Sequence, residues 1–295
     1  MMRVLVTGVG GPAGWSLAEQ LTARGISVLG ADMVPVHLDG VSTVVVPPAS
    51  DPAMLPTLRA LAARHGISMV IPTVSEELPG IAAEAAEFGP GVEVVVGSLA
   101  AVATAHDKLL TAEHLLAHGV PVPAFAPAEE GAAAGLGRPV IVKPRVSRGG
   151  RGVRLVEPGD AVNWAELRGT HVVQEFAPGI EFAPVVHRAT LDDEPHVIVL
   201  EKTELADGRI GNAVSVRAVP DGAGDVATVA RDAVVALGLV GPVDLDIRLR
   251  EDGTPLVLEV NARFGANSAA APELLERVLA AHTVRRREHM WPVTT

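Results

Sequence analysis

Short runs of β-branched residues alternate with helical patterns through the first 100 residues, and no other feature constrains the fold as strongly. The strand-like runs lie at residues 3–7, 27–31, 68–71 and 92–96, and the helical patterns cover 13–24, 53–65 and 76–88. Strands separated by helices form parallel sheets with helices packed on both faces. The chain is therefore predicted to begin with a parallel α/β sheet.

Three units are predicted along the chain. Residues 1–106 form a Rossmann-like domain, residues 107–176 a small α+β unit, and residues 177–295 a unit of longer antiparallel strands. The first boundary precedes a predicted helix over 107–118, which ends at Gly119 because glycine permits the left-handed closing residue. The later predictions are strands at 139–143, 152–156, 171–175, 183–191, 196–204, 210–219, 243–250 and 255–260, helices at 161–167, 224–237 and 272–281, and an irregular tail at 285–295.

Charge and composition exclude several classes of protein. The formal net charge is −11, whereas nucleic-acid binding needs clustered basic residues, so no nucleic-acid partner is expected. The chain has no Cys, which excludes disulfides, thiolate metal sites and thiol nucleophiles. The apolar run at 4–6 is too short for a signal peptide or a membrane span. A cytoplasmic location without a membrane partner is therefore the expectation.

Lysine is rare in this chain, and its three positions are informative. Lys and Arg together number 24, of which only Lys108, Lys143 and Lys202 are lysines. A lysine ammonium is a compact charge on a flexible stem, and it can approach phosphate oxygens from a single direction. The three positions are candidates for phosphate contacts, although any one of them could equally be an ordinary surface residue.

A glycine-rich segment follows the first strand. Thr7, Gly8, Gly11 and Gly14 form T-G-x-x-G-x-x-G, and Asp32 ends the second strand. This pattern is typical of dinucleotide sites in short-chain dehydrogenases, but that chemistry depends on a Tyr and the chain has none. Two alternatives stay open: a tight turn that packs the first helix on the sheet, or a helix N-terminus that binds a substrate anion. The second predicts substrate contacts from Gly10 and Gly11, with Glu76 and Glu77 lining the same crevice or simply beginning a helix.

A second glycine-rich loop follows Lys143, in K-P-R-V-S-R-G-G-R-G-V. Such a loop can fold over phosphates and present backbone N–H groups, although it could also be an ordinary hairpin. Downstream, residues 172–182 leave a buried strand through a Pro-Gly turn, where backbone groups could bind the edge of an adenine and an acidic side chain could reach ribose hydroxyls. The nucleotide candidates are Lys108, Lys143, Ser147, Gly149, Gly150, Gln174, Glu175, Phe176, Ala177 and Glu181.

The segment from 243 to 263 carries the most specific pattern. Two adjacent strands are predicted to place Asp246 on one and Glu259 and Asn261 on the other, all on a shared face. Carboxylate and amide oxygens are the ligands that Mg²⁺ prefers, and burial of these groups without partners would cost several kcal/mol. Arg263 follows on that face, where it could neutralise a transferring phosphoryl group.

Taken in order, these motifs resemble the ATP-grasp superfamily, in particular stand-alone relatives of one synthetase half of the carbamoyl-phosphate synthase large chain. The resemblance covers nearly the whole chain and implies a Rossmann-like domain followed by a two-part ATP-grasp fold, with a small lid and an antiparallel C-terminal sheet. It implies that Lys108 and Lys143 contact phosphates, residues 174–177 the adenine and Glu181 the ribose. It further implies two Mg²⁺ ions, replaceable by Mn²⁺, on Asp246, Glu259 and Asn261. Many relatives have Gln or Glu at position 246, so Asp shortens that ligand's reach.

The expected activity is an ATP-dependent ligation. A small carboxylate would be converted to an acyl phosphate and then to an amide by an amine, with release of ADP and phosphate. Arg263, Lys143 and Lys202 are the predicted catalytic groups. Glu76 and Arg217 are further substrate candidates, although Arg217 could equally be a solvent-exposed residue. Two alternatives are phosphorylation of bicarbonate or carbamate and a nucleotide-binding subunit without catalysis. The resemblance also suggests a homodimer.

Overall fold

The computed structural model describes residues 2–137 and 139–290. A parallel five-stranded sheet forms the N-terminal part, with strand order β3-β2-β1-β4-β5. Its switch point, where the chain changes direction across the sheet, lies between β1 and β4. The elements are β1 (Arg3–Thr7), α1 (Pro12–Ala23), β2 (Ser27–Asp32), β3 (Ser42–Val45), α2 (Met54–His65), β4 (Met69–Ile71), α3 (Leu78–Ala83), β5 (Glu93–Val94) and α4 (Leu99–His106).

A four-stranded antiparallel sheet in the order β6-β9-β7-β8 follows. Its outer strand β8 is joined to β7 by the glycine-rich loop at 145–153. We call this sheet and its helices the lid. The elements are α5 (Lys108–Ala117), β6 (Phe125–Pro127), α6 (Ala132–Leu136), β7 (Val140–Pro144), β8 (Arg154–Val156), α7 (Trp164–Leu167) and β9 (His171–Glu175).

A seven-stranded antiparallel sheet forms the C-terminal part, in the order β12-β11-β15-β10-β13-β14 with β16 also paired to β15. The largest apolar core lies between this sheet and helices α4, α5 and α8. The elements are β10 (Glu181–Phe182), β11 (Val185–Arg188), β12 (His196–Ile198), β13 (Leu200–Leu205), β14 (Ala213–Ala218), α8 (Asp225–Ala236), β15 (Gly241–Leu249), β16 (Pro255–Asn261) and α9 (Pro272–Met290).

The predicted fold class is confirmed, but several element predictions were wrong. The helix predicted over 76–88 is a 3-10 turn at Ser75–Glu77, then α3, then a second 3-10 turn at Ala85–Phe88. Pro79 explains the first break, because it has no N–H to donate to the carbonyl of Ser75. Pro184 divides the strand predicted over 183–191, and Val199 separates β12 from β13. The predictions omitted β3, α4, β6 and α6.

The prediction of an irregular tail from residue 285 was also wrong as far as residue 290. Helix α9 continues to Met290 instead of ending near residue 281, and 291–295 lie outside the described residues. The described helices include none that combines the length and apolarity required to cross a membrane. The unit boundaries at 106 and 176 stay predictions, although each of the three sheets lies within one predicted unit.

Candidate nucleotide and metal site

A cleft lies between the lid sheet and the C-terminal sheet, with about 690 Å³ of open space. Its lining includes the apolar side chains of Ile141, Val153 and Leu258. Polar and charged residues line the remainder of the cleft. The predicted residues that line it are Lys143, Gly150, Gln174, Glu175, Phe176, Ala177, Glu181, Lys202, Asp246 and Glu259.

Strands β15 and β16 form the floor of this cleft. Asp246 lies opposite Glu259, and Asp244 lies opposite Asn261. Alternate residues of β15, including Leu245, belong to the core beneath. Because successive side chains of a strand point to opposite faces, the polar set is directed away from that core. We call Asp246, Glu259 and Asn261 the metal face.

A β-bulge in β16 brings Lys143 to this face. The register moves from Asp246 opposite Glu259 to Ile247 opposite Val257, which leaves Leu258 as the extra residue. Its carbonyl oxygen accepts a hydrogen bond of 2.8 Å from Lys143 Nζ. Lys143 is 5% exposed, and this burial lowers the pKa of its ammonium to about 8.

The other two lysines pair with the acidic groups of the cleft. Lys108 Nζ lies 3.2 Å from Glu259 Oε1 and donates to the backbone oxygen of Ser147 at 2.9 Å. Lys202 Nζ lies between Glu181 Oε1, at 2.5 Å, and Asp246 Oδ1, at 2.6 Å. Burial alone would lower the pKa of Lys202, but Asp246 and Glu181 outweigh it, so this pKa is raised. Lys143 and Lys202 therefore line the cleft, and Lys108 contacts its wall through Glu259.

The donor set of the metal face fits a hard divalent cation. It consists of two carboxylates and an amide oxygen, and hard cations of this kind prefer oxygen ligands. Among the described residues no three Asp, Glu or His side chains converge closely enough to hold a metal by themselves. Asp244, behind Asp246 on β15, has an Oδ1 that is buried without a hydrogen-bond partner. The face therefore offers part of a coordination shell, and the oxygens of a bound ligand would have to complete it.

Sequence reasoning missed Asp244. Its burial raises the pKa of the carboxyl to about 7. Gly265 leaves room for it, because a Cβ at that position would lie 2.1 Å from Asp244 Oδ1. The alternation V-D-L-D in β15 carried the signal, since residues two apart on a strand share a face.

Arg263 is held by three acceptors. Its Nε donates to Ser75 Oγ at 2.9 Å, and its Nη1 donates to the carbonyl oxygen of Phe264 at 2.8 Å. Its Nη2 donates to Asn261 Oδ1 at 3.2 Å. The guanidinium therefore lies directly beside the metal face, in contact with the N-terminal domain.

The segment predicted to bind adenine lies only partly outside the lid sheet. Gln174 is paired with both β6 and β7, whereas Glu175 is paired with β7 and donates its N–H to the carbonyl oxygen of Ala124, just before β6. The Glu175 side chain pairs with Arg250 at 3.1 Å. The guanidinium groups of Arg209 and Arg248 lie over the ring of Phe176, the next residue, 4.6 and 4.9 Å from its centre.

The glycine-rich loop lies over Lys108. Gly149 and Gly150 have positive φ angles of 58° and 69°, which favour glycine. The Nδ2 of Asn212 donates to the carbonyl oxygen of Gly149 at 3.2 Å. The loop therefore contacts the β13–β14 hairpin as well as Lys108.

The root of this loop is tied to α5 by a pair that sequence reasoning also missed. The Asp107 carboxylate accepts three hydrogen bonds from Arg145, at 2.6 to 3.1 Å. It also caps α5 by accepting from the N–H groups of Leu109 and Leu110. The acidic residue directly before Lys108 was the available signal for the cap.

Two substrate predictions do not fit the structure. The N–H of Gly10 donates to Asp32 Oδ2 at 2.9 Å, and that of Gly11 donates to the carbonyl oxygen of Gly8 at 2.9 Å. Neither is therefore free for a substrate anion. A Cβ at Gly14 would lie 2.3 Å from the Gly8 carbonyl oxygen, which supports the tight-turn interpretation.

The remaining substrate candidates differ in position. Arg217 lies opposite Glu201 on β13 and pairs with it at 2.7 Å, whereas Lys202 lies opposite Val216. Because neighbours on a strand alternate, Arg217 is on the face opposite to Lys202, and it is not among the residues that line the cleft. Glu76 lies beside the cleft, where it pairs with Arg148 at 3.0 Å.

Comparison with known proteins gives one family. The ATP-grasp domain family model matches residues 105–267. A D-alanine–D-alanine ligase from Gloeobacter violaceus is 31% identical over 201 residues, which cover 59% of this chain and 64% of that protein. Uncharacterized protein y4rH of Sinorhizobium fredii is 30% identical over 195 residues, which cover 55% of this chain and 37% of that protein. The chain therefore spans less than two thirds of the length of these curated relatives.

Solved structures support the fold. The N5-carboxyaminoimidazole ribonucleotide synthetase from Thermotoga maritima superposes with a TM-score of 0.71 at 20% identity, over 96% of this chain and 76% of that one. An L-amino acid ligase from Bacillus licheniformis superposes with a TM-score of 0.67 at 22% identity, over 91% and 69%. At these identities the similarity defines the fold alone.

Proposed function

Because the chain belongs to the ATP-grasp family, we propose that it is an ATP-dependent carboxylate–amine ligase. In this proposal ATP converts the carboxylate of a small substrate to an acyl phosphate. An amine then displaces phosphate to form an amide, and ADP and phosphate are released. Two similar proteins, a D-alanine–D-alanine ligase and an L-amino acid ligase, are named for this reaction class.

The observation that carries the proposal is the convergence of three lysines and Arg263 on the metal face. Lys108 and Lys202 are within 3.2 Å of its carboxylates, and Arg263 contacts Asn261. A cleft with this concentration of both charges favours a ligand that is itself highly charged. A nucleotide triphosphate with its cations is such a ligand.

Each group has a distinct role in the proposal. Lys108 and Lys143 bind phosphate oxygens, and Lys202 orients the carboxylate or the phosphoryl group in transfer. Arg263 neutralises the acyl phosphate, so catalysis comes from positioning and charge neutralisation. Asp246, Glu259 and Asn261 would hold Mg²⁺, which supplies neutralisation of phosphate charge when bound, and Mn²⁺ should substitute for it.

Binding would require the lysines to change partners. In the present arrangement Lys108 and Lys202 neutralise Glu259 and Asp246. A cation at the metal face would take over that neutralisation and free both ammonium groups for phosphate oxygens. The apolar side chains of Ile141 and Leu258 in the cleft lining then suit an adenine ring, and Glu181 in the same lining would bind its ribose.

The test is product analysis with ATP, Mg²⁺ and a panel of amino acids, dipeptides and small diacids. We expect ADP and phosphate in equal amounts, dependent on both a carboxylate and an amine. AMP and pyrophosphate would contradict the acyl-phosphate scheme. ADP formation with bicarbonate alone would assign the chain to bicarbonate phosphorylation instead, and nucleotide binding without turnover across the panel would assign a non-catalytic subunit.

A further inference from the structure

Three consecutive residues after β4 each contact a different part of the molecule. They form the 3-10 turn Ser75–Glu77, which lies at the switch point of the N-terminal sheet. Ser75 contacts Arg263 beside the metal face, Glu76 contacts Arg148 in the glycine-rich loop, and Glu77 contacts Thr7 at the end of β1. We call Ser75–Glu77 the bridging turn.

The bridging turn is fixed to the N-terminal domain at its base. Glu77 is 7% exposed, and its Oε2 accepts a hydrogen bond of 2.5 Å from Thr7 Oγ1. The Thr73 hydroxyl donates to the carbonyl oxygen of Thr7 at 2.7 Å, which ties the preceding residues to the same strand end. The turn is therefore a rigid point from which its other two side chains extend.

Glu76 reaches the glycine-rich loop. Its Oε1 lies 3.0 Å from Arg148 Nε. A loop with glycines at 149, 150 and 152 has high conformational entropy when free, so a charged contact at its tip favours the closed position. Glu76 belongs to the N-terminal domain, whereas the loop that carries Arg148 belongs to the lid.

Ser75 reaches the arginine of the metal face. It is 6% exposed and accepts from Arg263 Nε, so it fixes one edge of the guanidinium while Asn261 and Phe264 fix the other. A guanidinium that is held at several nitrogens keeps its plane, and a planar donor group acts best on a phosphoryl oxygen when it is already oriented.

We propose that the bridging turn is a positioning element, through which the N-terminal domain holds the glycine-rich loop closed by Glu76 and orients Arg263 by Ser75. The role of Arg263 in this statement rests on the proposed function. The closure of the loop does not, because it concerns only the contact between Glu76 and Arg148. Ser75 and Glu76 are thus positioning residues that act through Arg263 and Arg148.

Loop closure can be tested by limited trypsin cleavage of the full chain. Arg151 is an exposed trypsin site in the loop. Because a protease cleaves a transiently opened segment, the cleavage rate after Arg151 reports how often the loop leaves its contacts. Glu76→Gln should speed this cleavage about two- to fivefold, as expected for the loss of a partly exposed ion pair. The matched control is Glu84→Gln, because Glu84 and Arg59 form a comparable pair at 2.7 Å with side chains 38% and 31% exposed, against 37% and 27% for Glu76 and Arg148.

Charge reversal tests the contact itself. Arg148→Glu should open the loop, and the double variant Glu76→Arg with Arg148→Glu should close it again while keeping the same loop sequence. Thermal unfolding of each variant identifies any that is globally destabilised, and a reversed pair that unfolds like the parent provides the test if a single variant does not fold. Equal cleavage of Glu76→Gln, Glu84→Gln and the parent, or no rescue in the double variant, would overturn the closure role.

The Ser75 role is tested by Ser75→Ala. We expect kcat to fall about tenfold with little change in the KM for ATP or in MgADP affinity measured by calorimetry, because only the orientation of Arg263 is lost. Ser75→Thr, which keeps the hydroxyl, should recover most of kcat. A weakened MgADP affinity with unchanged kcat would overturn this role. Absence of turnover in the parent would overturn the proposed function, whereas the cleavage result would still decide the closure role.

Discussion

The metal face and the bridging turn both contain acidic side chains, but they stabilise them differently. On the metal face, Glu259 and Asp246 each lie within 3.2 Å of a lysine ammonium. At the bridging turn, Glu77 is buried against a hydroxyl, and burial raises the pKa of its carboxyl to about 7. The first arrangement pairs each carboxylate with a lysine ammonium that a metal cation could replace. The second keeps a carboxyl close to neutral, which suits a fixed structural contact.

The largest effect should come from removal of a charge from the metal face. Glu259→Gln keeps the size of the side chain but removes the charge that pairs with Lys108, and we expect turnover to fall at least about a thousandfold. ADP release with saturating ATP and substrates measures this effect. Glu201→Gln is the control, because Glu201 lies on the same sheet and pairs with Arg217 on its other face. Comparable activity of Glu259→Gln and the control would contradict our assignment of the metal face.

Substitution of Lys202, which pairs with Glu181 and Asp246, tests the metal face by a stability measurement that needs no nucleotide. Lys202→Met leaves Glu181 and Asp246 without their shared cation, and we expect a loss of about 3 kcal/mol in the free energy of unfolding. Urea denaturation at pH 7.5 measures this loss. Mg²⁺ should recover more stability in the variant than in the parent, since it can bind where the ammonium was.

Lys202→Arg separates charge from packing in that experiment. It keeps the positive charge, so it should lose less stability than Lys202→Met. If both variants lose the same amount, or if Mg²⁺ stabilises neither, the lysine does not act as the cation of the metal face.

At the bridging turn, neutralisation of the buried carboxyl of Glu77 should stabilise the protein. In the folded chain Glu77 keeps its proton up to about pH 7, whereas its ordinary value is 4.5. Folding with this side chain therefore becomes less favourable as pH rises from 4.5 to about 7, and the cost is complete above that range. Glu77→Gln should raise the free energy of unfolding by roughly 2 kcal/mol at pH 8 and by little at pH 4.5. A gain of equal size at both pH values would contradict a raised pKa.

The two regions also differ in how much of them could be predicted from the sequence. Asp246, Glu259 and Asn261 were predictable because strand alternation alone assigns them to one face, and the same rule would have identified Asp244. The contacts of Ser75 and Glu76 could not be predicted. Their partners, Arg263 and Arg148, are 188 and 72 positions away, so the contacts depend on how the N-terminal domain packs against the rest of the chain. The glycine motif likewise did not reveal that the N–H groups of Gly10 and Gly11 donate to Asp32 and Gly8.

The smallest effect is expected on the outer face of the strand pair that carries Lys202. Arg217 is 68% exposed and pairs with Glu201. Because the strand register shifts after Lys202, the sequence alone does not show to which face of the sheet Arg217 points. Arg217→Ala should change turnover by less than about twofold and the free energy of unfolding by less than about 0.5 kcal/mol, because exposed ion pairs contribute little. Steady-state kinetics and urea denaturation beside Lys202→Met provide the comparison. A large loss of turnover in Arg217→Ala would mean that the substrate reaches both faces of this sheet, and the metal face would then be only part of the site.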